Sequence, residues 1–532
     1  MAEGGGRERD VIIRELAVPF DQDEGDLAAR VARLLSRPLS DVRRVEVRRR
    51  SLDARRGKPR WILALRVRLA PGAVALPPGA VVAPEPPLPL APPMARKAWR
   101  VAVVGAGPAG LFAAERLLRA GLRVTLLERG RDIGERNRLV AGLMAQGRLD
   151  PECNFHFGLG GAGAYSDGKL FTRLDHPRVR AVLERWQALG AGSREEILVS
   201  AQPHVGTDRW PAALSRFRDE LAAAGCDIRF GARVDGVRLA GGRLAALVLP
   251  GGEVECDAAV LAPGNSAREL YPALLASGIA IQPKPIAVGV RVTHPQALID
   301  RIQYGRFAGD PRLPPASYRL TGTFGGRGVY SFCMCPGGQV LPTPTEPEGL
   351  CTNGMSNSAR DSTEANAALV AALMPSECGE GPLAVLEFQR RLEREAFRAG
   401  GGGYRAPAQR LCDFLAGRVS TGEMPCLYRP GIAASRVDRL LPGFLLEPLR
   451  SGLAAFGRRM RGWLSPEALA LGLETRTSSP VRIVRDGSGS CPAARGLFPA
   501  GEGAGYAGGI TSSAVDGIAA AESLIDWLNE NG

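Results

Sequence analysis

The chain has 532 residues, 45% of them apolar and 23% charged, with a formal net charge of +13. That length and balance suit a soluble protein with a sizeable core and two or three domains. No run approaches the roughly 18 apolar residues of a membrane span, and "MAEGGGRERD" lacks the apolar stretch of a signal peptide. The positive charge permits attraction to nucleotides, RNA or acidic lipid without selecting one. The 67 glycines and 41 prolines follow no period and are read as tight turns rather than a repeat. Ten scattered cysteines without a secretory signal are read as reduced thiols of a cytoplasmic protein.

Residues 1–70 read as a small basic α/β domain. "DVIIRELAVP" suggests a strand, and "DEGDLAARVARLLS" places apolar residues at helical spacing. "VRRVEVRRR" and "WILALRVRL" alternate like half-buried strands. Around and between them lie Arg43, Arg44, Arg48, Arg49, Arg50, Arg55, Arg56, Lys58 and Arg60. These fit either a nucleic-acid-binding hairpin or the solvated face of a β-ribbon. We read the second, because no stacking aromatics are interleaved with the charges. Residues 71–98 are a proline-rich linker with a tendency toward polyproline II, which makes the preceding unit an independent appendage.

"VAVVGAGPAGLFAAERLLRAGLRVTLLERG" (101–130) then runs strand, glycine turn, helix, strand, acid. Gly105, Gly107 and Gly110 fit G-x-G-x-x-G. They supply the tight turn, the close backbone approach to a pyrophosphate, and the helix–strand packing. The helix start offers free amides to phosphate. Glu128, eighteen positions past Gly110, can accept ribose hydroxyls and would repel a 2′-phosphate.

"GGAGAYSDGK" (160–169) offers amides and hydroxyls to the same site. His156, His176, His204 and His294 are the only histidines, and His156 and His204 are candidate contacts to cofactor or substrate. From Cys226 to Gly264 the pattern is a series of short strands with glycine turns. Cys333 and Cys335, in "FCMCPGG", face one side of an extended segment. No second C-x-C or C-x-x-C completes a zinc site, so no metal is expected. "YSFCMCPGGQV" holds no Lys, Arg or His to lower a thiol pKa. The two cysteines are therefore read as small buried residues before a turn, unless the fold brings a cation in. "GGGGY" (400–404) reads as a helix end, so no second dinucleotide turn is found. Arg476, Thr477, Ser478, Ser479 and Arg482 form a polar cluster suited to an anionic substrate or to the polar edge of a cofactor ring. "GLFPAGEGAGYAGGITSSAVDGIAAAESLIDWL" closes the chain as strand, glycine turn and long helix.

This layout resembles the glutathione-reductase-type FAD superfamily, in which the FAD domain is assembled from separated segments. "LAPGN" (261–265) resembles its A-T-G segment. Gly501 and Glu502 stand where that superfamily has Gly-Asp. "FGLGGAGAYSDGKLFTR", "PHVGTD", "VGVRVTHPQALID", "YSFCMCPGGQV", "NGMSNSARDS" and "ETRTSSPVRI" together resemble a family of uncharacterised FAD-dependent dehydrogenases, NAD(P)/FAD-dependent oxidoreductases with the same small N-terminal domain.

The resemblance implies an α/β fold with a discontinuous Rossmann-like FAD domain of the two-dinucleotide-binding type. That domain occupies 99–289 and 476–532, with an inserted substrate or cap domain at 290–475. It implies FAD as cofactor, with NAD(P)H a candidate electron donor. The cofactor contacts would be Gly105, Ala106, Gly107, Pro108, Ala109, Gly110, Glu128, Arg129, Gly161, Gly163, Val234, Ala262, Gly264, Gly501, Glu502, Gly508, Gly509 and Ile510. The expected activity is hydride transfer between flavin N5 and a small-molecule substrate. The alternative is a flavoprotein that modifies or binds RNA through the basic N-terminal domain.

Overall fold

The computed structural model describes residues 8–22, 24–55, 58–71, 76, 80–82 and 93–531. Its central layer is a five-stranded parallel sheet, ordered Leu497–Pro499, Ala258–Leu261, Arg100–Val104, Arg123–Glu128, Asp227–Phe230. The inner strands are continuous apolar runs because both faces are covered. The helices Pro108–Arg119 and Ile510–Asn531 pack on one face. They approach closely enough that a Cβ on Gly517 would meet the Ala109 carbonyl oxygen at 2.1 Å. The other face carries an antiparallel three-stranded sheet over Gly236–Ala240, Arg243–Leu249 and Gly252–Glu255. Strands from three distant parts of the chain thus share one sheet.

A seven-stranded sheet forms the second large layer. Its middle strand, Ile286–Pro295, pairs antiparallel with Glu364–Leu373 on one side and Leu469–Glu474 on the other. The expected boundary at 289/290 falls inside this strand. Helix Gly443–Arg459 buries its apolar face in the same core as the sheet. The edge-side strand Arg327–Cys335 breaks register with Glu364–Leu373 between Phe332 and Cys335. At that bulge Cys333 takes φ = +44°. "GGGG" follows the helix Ala384–Ala399 directly, ending it as expected.

The N-terminal unit is a four-stranded antiparallel sheet, ordered Val42–Asp53, Arg60–Leu69, Arg9–Pro19, Ala80–Val82, with the helix Leu27–Leu34 beside it. Several of its arginines pair locally: Arg48 with Glu46 at 3.4 Å, Arg55 and Arg60 with Asp53 at 2.9 and 3.3 Å. It touches the rest of the chain through an Ala201 N–H to Arg50 carbonyl bond of 2.8 Å and a Phe20–Phe307 edge contact. Most of the linker's proline-rich stretch (72–75, 77–79, 83–92) and Arg56 lie outside the described residues. The linker's last residues already belong to the parallel-sheet unit. Arg116 donates to the Pro93 carbonyl at 2.5 Å, the Ala95 N–H to Ala120 at 3.1 Å, and Asn529 to Met94 at 2.9 Å.

Candidate functional site

The C-terminal ends of the parallel strands open onto one cleft of about 360 Å³. Val104, Glu128, Ala232, Ala262 and Ala500, at or just past five strand ends, all line it. This is where an open parallel sheet leaves a crevice for ligand.

One end is made of backbone. Gly105 has φ = +96°, and a Cβ there would lie 2.3 Å from the Ala262 carbonyl oxygen. A Cβ on Gly110 would lie 1.8 Å from the Gly105 oxygen. The turn is therefore pressed between helix and neighbouring strand. Gly107 is the N-cap of Pro108–Arg119 and has no capping side chain, so the first amides of the helix face the cleft uncapped. Beside them Glu128 is buried. Its Oε2 accepts from Ala106 N–H at 2.8 Å, and its Oε1 accepts from Gly130 and Gly158 at 2.8 and 2.9 Å. A carboxylate has about four acceptor positions, so roughly one remains for a ligand hydroxyl. Arg129 lies over the Phe157 ring at 3.8 Å and pairs with Glu152 at 3.0 Å and with Glu269.

The middle of the cleft carries a polar chain. Glu502 accepts from the Asn265 amide at 3.0 Å, which turns the Asn265 carbonyl oxygen toward Ser266. Ser266 donates to that oxygen at 3.0 Å and accepts from Arg476 at 3.1 Å. His156 Nδ1, 3.1 Å from Ser266 Oγ, must then carry the proton. Its Nε2 is left a bare acceptor, buried and unpartnered among the described residues. Burial, and then Arg476 and Arg268, hold this imidazole well below the usual histidine range, so it is neutral. Behind it Glu393 binds Arg268 and Arg476, each at 2.7 Å. Burial alone would protonate Glu393, but the two guanidiniums outweigh it and keep the carboxyl well below the ordinary range.

The far end is built from side chains. Lys169 Nζ lies 2.9 Å from Asp167 Oδ2 and 3.7 Å from both Cys333 Sγ and Cys335 Sγ. Arg360 bonds Asp167 at 2.7 Å, and Ser356 donates to it. Arg291 donates to the Cys333 carbonyl at 2.7 Å, approaches Cys335 Sγ at 3.5 Å, and pairs with Glu474 at 3.3 Å. The adjacent sequence holds no cation, and the fold brings in two, Lys169 and Arg291. Cys335 Sγ donates to the Cys333 carbonyl at 3.3 Å. The Cys335 thiol beside it, with Lys169 and Arg291, holds the Cys333 thiol well below the ordinary range against the pull of burial. The bond to Cys333 and burial push Cys335 well above that range.

Of the expected cofactor positions, all but Ala106 and Gly110 line this cleft. Those two lie behind it, Ala106 bonded to Glu128 and Gly110 against Gly105. His156 lines the cleft, but His204 does not; its ring bonds the Ser358 carbonyl at 3.2 Å. The expected Arg476–Arg482 cluster separates. Arg476 and Thr477 line the cleft, Ser479 bonds the Val481 carbonyl, and Arg482 lies over Tyr506. Sequence reasoning missed Asp167, Lys169, Asn265, Ser266, Arg291 and Glu393 as named members. "YSDGK" was noted for amides and hydroxyls, and its acid–base pair was the available signal for the first two.

Residues 285–477 match the model of a family described as FAD-dependent protein, C-terminal domain-like. Residues 103–150 match an NAD(P)-binding Rossmann-like domain, and 11–68 a domain of unknown function. A protein of Clostridium beijerinckii called simply an uncharacterized protein is 43% identical over 432 residues, 80% of this chain and 81% of that one. Among solved structures, CtdE in complex with FAD aligns over 79% of this chain and 82% of its own, at 12% identity and a TM-score of 0.29. A geranylgeranyl bacteriochlorophyll reductase-like protein from Thermoplasma acidophilum aligns over 81% and 79%, at 14% and 0.34. Likenesses this distant carry nothing about function. The C. beijerinckii relative shows kinship: the chain belongs to that protein's family, and the domain matches make it a family of FAD-dependent, oxidoreductase-like proteins.

Proposed function

We propose that the chain is an oxidoreductase whose cleft holds FAD along its whole length and transfers a hydride to or from a small molecule, with NAD(P)H the candidate donor. The observation that carries this reading is one continuous cleft. It joins an uncapped helix start, a buried carboxylate with acceptor capacity left, and a bare histidine nitrogen. Bound FAD would supply the two-electron chemistry through its ring.

The chain's own residues divide the remaining work. The amides at the start of Pro108–Arg119 donate to the pyrophosphate, and the helix dipole favours its charge. Glu128 takes a ribose hydroxyl and repels a 2′-phosphate. Arg129 and Val234 flank the adenosine end. His156 Nε2 accepts one hydrogen bond from the cofactor's hydroxylated chain, because it has no proton of its own to give. Gly508, Gly509 and Ile510 put the positive end of the helix Ile510–Asn531 at the far end of the cleft, where it stabilises negative charge on the reduced ring. Lys169 adds a full cation there. The insert from Ile286 to Glu474 supplies Phe332, Cys333 and Asn353 to the same end, where a substrate would meet the ring.

The test is direct. The flavin released from purified protein should be FAD, and anaerobic mixing with NADH or NADPH should bleach its absorbance. Release of FMN, or of nothing, contradicts the reading of the cleft. FAD that neither nucleotide reduces contradicts only the donor.

A further inference from the structure

The far end of the cleft holds unequal charge. Three cations, Lys169, Arg291 and Arg360, meet two carboxylates, Asp167 and Glu474. Burial pushes the Glu474 carboxyl up to about 7 against the pull of Arg291. A surplus of positive charge therefore faces the two sulfurs. Buried charges persist when they are paired, and an ionised Cys333 is the anion that completes the set.

The backbone serves the same end. Cys333 occupies the left-handed region at φ = +44°, inside the bulge of Arg327–Cys335. A non-glycine residue is held there only where its surroundings compel it, and such residues collect at working sites. The bulge leaves both sulfurs at 3.7 Å from one ammonium. Cys333 lines the cleft, whereas Cys335 is fully buried behind it. One cysteine reaches the cleft, and the other is enclosed by Cys333, Lys169 and Arg291.

We propose that Cys333 and Cys335 are a thiolate–thiol pair that reduces a small disulfide at the far end of the cleft. The Cys333 thiolate attacks one sulfur of the substrate. A Cys333–substrate bond forms, the substrate S–S bond breaks, and the first thiolate leaves. Cys335 then attacks Cys333, its proton passing to the second departing sulfur. The products are a Cys333–Cys335 disulfide, one thiolate and one thiol. The protein has lost two electrons and one proton, and the substrate has gained them. Two electrons and one proton restore the pair. This last supply alone rests on the proposed function, with FAD as the adjacent two-electron carrier. Thiolate is the attacking form, which is why the cations matter.

The experiment uses purified flavin-loaded protein, bis(hydroxyethyl) disulfide as the probe, acid quenching and peptide mass spectrometry. Wild type should form a 333–335 disulfide. Cys335→Ser should stop at a hydroxyethylthio adduct on Cys333, and Cys333→Ser should leave Cys335 unmodified. Alkylation of Cys333 by iodoacetamide should be nearly flat from about pH 6 to about pH 9. Free 2-mercaptoethanol under the same conditions should instead speed up about tenfold per unit of pH below its own pKa. Disulfide-treated wild type should take up four electrons from dithionite per FAD, and Cys333→Ser only two. An adduct on Cys335, a Cys333 profile parallel to that of free 2-mercaptoethanol, or two-electron uptake with no 333–335 bond overturns the proposal. Protein that purifies without FAD but passes the adduct and alkylation arms defeats the proposed function and leaves the thiol pair standing.

Discussion

The two ends of the cleft are made of different material. At the Gly105 end the ligand-facing groups are chiefly backbone amides and the Glu128 carboxylate, and one short stretch, 101–130, supplies nearly all of them. At the Lys169 end they are the side chains of Asp167, Lys169 and Cys333, backed by Arg291, Cys335, Arg360 and Glu474. The first end depends on local geometry and tolerates no bulk. The second depends on a balance of charge and on the sheet that holds it. Substitutions at the two ends should therefore fail in different ways: the first by losing cofactor or fold, the second by losing chemistry with cofactor retained.

The largest effect is expected at Glu128. Glu128→Ala leaves three buried amides, those of Ala106, Gly130 and Gly158, without their acceptor. At about 1–3 kcal/mol for each orphaned donor, the loss is at least about 3 kcal/mol. Denaturant unfolding should show it, together with loss of bound flavin. Unchanged stability would mean the carboxylate is not the clamp described here.

Acid should act next, through the histidines. His156 and His204 are held below the ordinary range chiefly by burial, and burial pushes His294 down to about 4. The folded protein then binds these protons less readily than the unfolded chain. Stability from them is fully present above about pH 6.5 and falls as pH drops below it, by up to about 1.4 kcal/mol per unit for each histidine. For His294 the loss continues to about pH 4. The melting temperature should fall between pH 7 and pH 5, and His294→Gln should flatten part of that slope. A melting temperature that rises over this interval would contradict the burial of neutral imidazoles.

His156→Phe removes one hydrogen bond from the middle of the cleft. FAD affinity should drop about fivefold, the equivalent of about 1 kcal/mol, as read by flavin fluorescence on dilution. Lys169→Met should change FAD affinity less than about twofold, because the backbone end dominates binding. It should nevertheless make Cys333 alkylation rise with pH. A Lys169 variant that loses its flavin would erase the distinction between the ends. Removing residues 1–92 should have the smallest effect of all, leaving FAD bound. The cut stops before Pro93 because residues 93–96 are hydrogen-bonded to the parallel-sheet unit. Insoluble or flavin-free truncated protein would show that the contacts around Phe20 and Arg50 carry more than the docking of an appendage.

The same contrast explains what could be read before the fold was known. A dinucleotide turn is a matter of residue spacing within one strand–turn–helix unit, so Gly105, Gly107, Gly110 and Glu128 were legible together. The strand run 227–261 and the closing helix were legible for the same reason. Glu128's three amide partners were not, because Gly158 reaches it from a loop thirty residues on. The charged surroundings of the cysteine pair were not legible for a physical reason. Its neighbours in sequence are uncharged, and the cations beside it are Lys169 and Arg291, which reaches it from the middle strand of the second sheet. His156 was named as a candidate, but its tautomer follows only from the Glu502–Asn265–Ser266 chain, in which Glu502 lies more than two hundred residues from the other two. Local backbone devices announce themselves in sequence, and charge clusters assembled across sheets do not.

The claim that the cleft holds FAD over the Gly105–Gly107 turn is tested most directly by the flavin content of Gly107→Val. Gly107 has φ = −78°, open to any residue, and a Cβ there meets nothing nearer than the Gly161 Cα at 3.9 Å. The variant should fold, with the valine filling the space above the helix amides. The account predicts one FAD per wild-type chain, less than about a tenth of that in the variant, and an unfolding midpoint matching that of flavin-stripped wild type. A folded Gly107→Val protein carrying its full complement of FAD would contradict it.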